Sequence, residues 1–136
     1  MSIDLKNKRI VISAGGSGIG WSSAKIFLEK GATVYLCDIN ATFLNKCKKH
    51  KQNNKKLFVF QCDAWDVKQV KNFFTKVLKK TKKIDALINN VGIAGPTGTL
   101  EKLKSKDWEN TLKVNVISHF YFLRLCSFLI LKDNSN

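Results

Sequence analysis

The chain has 136 residues, 44% of them hydrophobic and 25% charged, and a formal net charge of +14 at pH 7. That composition excludes a disordered or fibrous chain, and a domain of this size buries about two-thirds of its unfolded surface. The charge comes from lysine, because Arg9 and Arg124 are the only arginines. Nucleic-acid recognition needs arginines and aromatics interleaved on one face, so no specific nucleic-acid partner is expected, and the lysines of 46–56 and 68–83 read as solvated helix surfaces.

In chain order, apolar runs near 9–13, 32–37, 57–62 and 84–88 alternate with helical patterns near 18–30, 41–50, 66–80 and 105–131. Gly31 follows the first helix as a C-terminal cap. Strands alternating with helices give parallel βαβ units, and runs rich in Val, Ile, Leu and Phe without strict alternation fit strands covered on both faces. The fold class is therefore α/β, a doubly wound parallel sheet. Right-handed crossovers give it the strand order 3-2-1-4 with a switch point between strands 1 and 4. No repeat, low-complexity linker or boundary divides the chain, so residues 1–136 read as a single domain.

The first strand breaks into Ser13-Ala14-Gly15-Gly16-Ser17-Gly18-Ile19-Gly20, and Asp38 ends the second. A strand, a glycine turn, a helix N-terminus and an acidic residue about 20 positions on are the parts of a dinucleotide site. The amides approach a pyrophosphate and the carboxylate accepts from ribose hydroxyls. The spacing G-x-G-x-x-G is not met, since it would need glycine at Trp21 or Ser23. What fits is [Thr/Ser]-Gly-x-x-x-Gly-Ile-Gly, with Ala14 where the pattern has its first glycine. Gly15 and Gly16 are expected to supply the flexibility that Ala14 lacks, and its methyl to crowd the turn.

Further segments follow in order: Asp63-Ala64-Trp65-Asp66 after the third strand, Asn89-Asn90-Val91-Gly92 after the fourth, and Asp107 to Val116 leading to Asn115. With this order and spacing, the chain resembles the short-chain dehydrogenase/reductase family over essentially its whole length, as an N-terminal, Rossmann-type cofactor-binding half. The resemblance implies hydride transfer between a nicotinamide dinucleotide and a small alcohol or carbonyl. It places Ser13, Gly15, Ser17, Gly18, Ile19, Gly20, Asp38, Ile39, Asp63, Ala64, Asn90, Val91 and Gly92 at the cofactor and Asn115 in the active site. Asp38 repels a 2′-phosphate and Ile39 offers no cation against that, so NAD is expected over NADP.

The family's acid/base is a tyrosine with a lysine four residues later. Here the tyrosines are Tyr35 and Tyr121, followed at that spacing by Ile39 and Leu125. The family's serine lies on the strand after the asparagine helix, and no such strand follows before residue 136. The expectation is a fold truncated after the fourth strand and its following helix, inactive alone; a non-catalytic NAD-binding or remnant module is the alternative.

Cys37, Cys47, Cys62 and Cys126 have no C-x-x-C or zinc-ligand spacing, and His50 and His119 have no metal-like companions, so no metal site is expected. Free thiols and an N-terminus without an apolar signal region suit the cytoplasm. Val114 to Leu131 is the most apolar stretch, yet Asn115, His119 and Arg124 interrupt it, so a buried helix is expected rather than a membrane span. The resemblance implies that this helix covers the sheet and joins a homo-oligomer interface, hiding Phe120, Phe122, Leu125, Phe128 and Leu129.

Overall fold

A computed structural model describes residues 3–51 and 54–131. Four parallel strands form one sheet: β1 (Arg9–Ile12), β2 (Thr33–Asp38), β3 (Leu57–Gln61) and β4 (Ala86–Ile88), in the order β3-β2-β1-β4. Between them run α1 (Gly18–Glu29), α2 (Ala41–Lys51) and α3 (Val67–Leu78). After β4 come a short 3-10 turn (Leu100–Lys102), α4 (Ser105–Leu112), a π-turn (Lys113–Ile117) and α5 (Ser118–Leu131). The α/β class and strand order agree with the sequence reading. Strands 1, 3 and 4 are shorter than expected, and the last helix is interrupted by the π-turn.

The apolar runs lack strict alternation because each strand supplies two cores. Ile10, Ile12, Val34 and Leu36 pack with Ala24, Leu28 and Leu44 on the α1 and α2 side. The intervening Val11, Tyr35 and Cys37 pack with residues of α3 and α5 on the other. On α3, Val70, Phe73, Phe74 and Val77 recur at helical spacing and are all buried. Phe73 and Phe74 meet Phe122 of α5 at ring-centroid distances of 5.9 and 5.7 Å. Truncating a buried phenylalanine of this kind costs about 3–5 kcal/mol.

Of the α5 residues expected to be hidden by a partner, Phe122 and Leu129 are buried within this chain, whereas Phe120 and Phe128 are 54% and 66% exposed. By length and composition alone the helical stretch 105–130, whose most apolar 18-residue window has a mean hydropathy of 1.2, would suffice to cross a membrane. Its inner face is nevertheless committed to the sheet side, through Phe122, Cys126 and Leu129. All four cysteines are free and buried. Burial pushes Cys47 up to about 11 and Cys126 up to about 12, so they behave as small hydrophobes.

Asp66 starts α3 by accepting from the N–H groups of Lys68 and Gln69, at 2.8 and 3.3 Å. Those N–H groups of Gln69 and Lys68 hold its carboxyl below the ordinary aspartate range. At the opposite end of the sheet, Asp85 accepts from the N–H and the Nε of Arg9, at 2.8 and 2.9 Å, and its own N–H donates to the Arg9 carbonyl. This clamp sets the register of β4 on β1. Burial opposes the charge on Asp85, but the Arg9 N–H and guanidinium outweigh it and hold the pKa below the ordinary value. A depressed folded-state pKa contributes stability above the unfolded value of about 3.9 and loses it as pH falls through the folded one. Asp85→Asn is therefore expected to lower stability by about 1–2 kcal/mol at pH 7 and by less near pH 3. Denaturant titrations at both pH values check this, and an equal loss at both would count against the clamp.

Candidate cofactor site

The glycine turn lies at the C-terminal edge of the sheet, between the ends of β2 and β4, where side chains have no room. A Cβ on Gly15 would stand 2.8 Å from the Cβ of Leu36, and one on Gly16 would stand 2.9 Å from the Asp38 carboxylate. On Gly20 it would stand 2.6 Å from the Ala14 carbonyl oxygen and 2.7 Å from Nδ2 of Asn90. The turn's left-handed residues are Gly18 (φ 52°) and, contrary to expectation, Ala14 itself (φ 49°). Gly15 and Gly16 thus provide clearance rather than the left-handed bend, and the strain falls on Ala14.

Above the turn opens a cleft of about 590 Å³. Ser17, Gly18 and Ile19 line it from the start of α1, Asp38 and Ile39 from the end of β2, Asp63 and Ala64 from the loop after β3, and Asn90, Val91 and Gly92 from the loop after β4. Ser13, Gly15 and Gly20 are buried beneath it. Ala14, whose methyl is expected to crowd the turn, lines it too, and so do Cys62, Trp65, Ile93 and Val114, which are not among the residues expected at the cofactor. Ser17 makes no side-chain cap hydrogen bond and the first turn of α1 holds no acidic residue, so its amide donors and the positive end of the helix dipole stay available to an anion.

Asp38 is 8% exposed. Its Oδ2 accepts from the Gly16 N–H and its Oδ1 from the Asn40 N–H, both at 2.9 Å. Each oxygen retains a lone pair for a further donor, such as a ribose hydroxyl. Among the described residues, the only charged ones lining the cleft are Asp38 and Asp63. Glycine clearance, free amides for a pyrophosphate and a fixed carboxylate for a diol together fit a dinucleotide.

The loop after β4 is tied on both sides. The Ser13 hydroxyl accepts from the Asn90 N–H at 3.0 Å, and the Asn90 amide donates to the Ala14 carbonyl at 2.9 Å. Asn89 donates to the His119 carbonyl at 3.0 Å, while Nε2 of His119 lies 2.6 Å from the Val91 carbonyl. A carbonyl only accepts, so Nε2 carries the proton. Asn115 does not line the cleft. Its amide pairs with both backbone groups of Ile93, accepting at 2.8 Å and donating at 2.9 Å. The side chain positions the loop. His119 was missed because only the folded α5 brings it to the loop.

The family model for short chain dehydrogenase matches residues 8–135. The chain is 34% identical over 118 residues to the bovine (Bos taurus) 15-hydroxyprostaglandin dehydrogenase [NAD(+)], covering 84% of this chain and 41% of that one. It is 32% identical over 113 residues to 3-oxoacyl-[acyl-carrier-protein] reductase FabG of Thermotoga maritima, covering 82% and 46%. The chain thus spans less than half the length of these curated relatives. In fold it is similar to the crystal structure of gox2181, at a TM-score of 0.88 and 18% identity, covering 96% of this chain and 51% of that one.

A left-handed alanine costs about 1–2 kcal/mol, and the extra unfolded-state freedom of glycine offsets about 0.4–1 kcal/mol of any relief. Ala14→Gly is expected to stabilise the chain by about 0.5–1 kcal/mol and Gly20→Ala to destabilise it. Denaturant unfolding of the two variants checks this, and a less stable Ala14→Gly chain would refute the strain at this turn.

Proposed function

The chain belongs to the short chain dehydrogenase family, and on that premise we propose that it is the cofactor-binding part of an NAD-dependent oxidoreductase acting on a small alcohol or carbonyl compound. The observation that carries the reading is the Asp38 carboxylate. Two backbone N–H groups fix it at the end of β2, in a cleft lined, among the described residues, by no lysine or arginine. When bound, NAD supplies the hydride acceptor. The chain's own residues do the holding: the amides of 17–20 face the pyrophosphate, Asp38 takes the adenosine ribose, and the loop of Asn90 to Gly92 forms the opposite wall.

Asp38 also sets the choice between dinucleotides. A 2′-phosphate on the ribose would bring negative charge against a carboxylate that is already desolvated, and Ile39 beside it offers nothing to neutralise either. NAD is expected to bind at least about tenfold more tightly than NADP, a difference of roughly 1.4 kcal/mol, and Asp38→Ala to narrow that ratio. Calorimetric titration of both dinucleotides reads it directly. Equal or tighter NADP binding by the parent chain would reject the assignment.

These residues lack the partners for turnover. Tyr35 is 3% exposed and stacked on Phe58, and Tyr121 packs against the α3 and α5 core. Neither lines the cleft. Losing a positioned acid/base forfeits about 10²–10⁴ in rate. The 136 residues by themselves are expected to bind NAD without reducing it against a panel of alcohols. Steady nicotinamide reduction, absent in Asp38→Ala, would show that the acid/base lies within them.

The exposed face of the last helix, with Val116, Ile117, Phe120, Leu123 and Phe128, is an apolar strip of the kind that associating proteins cover. It supports homo-oligomerisation through that helix. Light scattering is expected to show a dimer or larger species that the paired change Phe120→Glu and Phe128→Glu dissociates. A monodisperse parent monomer at high concentration would exclude it.

A further inference from the structure

Trp65 lines the cleft, and its ring is met by Lys113, which does not line the cleft but precedes Val114, which does. Trp65 lies in the loop after β3 and lines the cleft beside Asp63 and Ala64. Lys113 opens the π-turn, and its Nζ sits over the indole, 5.3 Å from the ring centroid. The next residue, Val114, lines the cleft as well. The foot of the tryptophan is rigid. Its backbone N–H donates to Oδ1 of Asp63 at 3.0 Å, the Asp63 backbone N–H donates to Oε1 of Gln69 at 2.9 Å, and Asp66 caps α3. Trp65 as a whole is 36% exposed, and the lysine over its ring restrains it.

The strand order decides what this end would hold. If Asp38 takes the adenosine ribose, as the NAD reading has it, the base attached to that ribose runs on from β2 towards its outer neighbour β3. It arrives at the loop of Asp63, Ala64 and Trp65. We propose that Lys113 and Trp65 form a strap across the purine end of the cleft, in which the lysine holds the indole as the wall against which an adenine ring packs. The inference rests on the NAD reading and adds to it two positioning residues that the fold does not require. Breaking the strap lets the indole swing into solvent and loosens the purine, while the glycine turn and Asp38 are unaffected.

The test is calorimetric titration of the full chain with AMP, NAD and nicotinamide mononucleotide, with melting temperatures measured alongside. Lys113→Met is expected to weaken AMP and NAD by about two- to fivefold, the range of a partly exposed cation–π contact. Trp65→Leu removes the wall and is expected to weaken both by about tenfold. Lys113→Arg, which keeps a cation over the ring, restores parental affinity. Nicotinamide mononucleotide, having no purine, binds all four chains alike. Parental AMP affinity in Lys113→Met overturns the strap while leaving the NAD reading standing, and so does a parallel loss of mononucleotide affinity. A parent chain that binds neither AMP nor NAD overturns the NAD reading and the strap together.

Discussion

Everything at the upper edge of this sheet depends on one steric constraint: the chain must turn from β1 into α1 in a space with no room for side chains. Leu36 and Asp38 stand against one side of the turn, and the Ala14 carbonyl and Asn90 against the other. Glycine at 15, 16 and 20 lets three elements close on one another. The consequence is chemical as well as steric, because the backbone amides left at the surface of the turn are the groups an anion meets. Asp38 shows the coupling most directly, since the Gly16 N–H that approaches it also fixes its carboxylate.

The far wall is built by a different device. The segment after β4 runs from Asn89 to Thr99 without regular structure, so its conformation comes from side chains reaching in from elsewhere. Ser13 and Ala14 hold Asn90 from the β1 side, while His119 of the last helix holds Val91 and Asn115 of the π-turn before it holds Ile93. A π-turn at 113–117 carries Asn115 and, two residues earlier, Lys113, so one irregular turn serves both the loop and the tryptophan. π-turns are frequent at functional sites for this reason: an extra residue re-aims the side chains without ending the helix.

The fold was legible in the sequence where local pattern and burial agree. Ile10-Val11-Ile12 and Val34-Tyr35-Leu36-Cys37 read as doubly covered strands, and neighbouring residues in them do enter opposite cores. The glycine turn and Asp38 were legible because their spacing reflects a short-range steric need. What sequence could not reach depends on contacts between distant segments. Trp65 and Lys113 are 48 positions apart, and nothing in either segment signals the other. His119 looked like a lone histidine on an apolar helix until α5 lay against the loop at Val91. Flexibility is expected of Gly15 and Gly16, yet the left-handed φ falls on Ala14, because a pattern shows where flexibility is needed but not which φ carries it.

The charge distribution shows how an anionic ligand suits a cleft lined by carboxylates. Lysines crowd the last turn of α2, where Lys48, Lys49 and Lys51 complement the negative end of the helix, and they stand on the exposed surface of α3. None lines the cleft. Their field attracts an anion over long range but is screened within about 8 Å at physiological salt. Short-range attraction therefore falls to the amides of the glycine turn and the first turn of α1, which carry no net charge and keep a fixed geometry. That division leaves the Asp38 carboxylate without a basic side chain competing for it among the residues that line the cleft. On the NAD reading proposed above, a ribose hydroxyl would then meet an acceptor not already spent on a lysine.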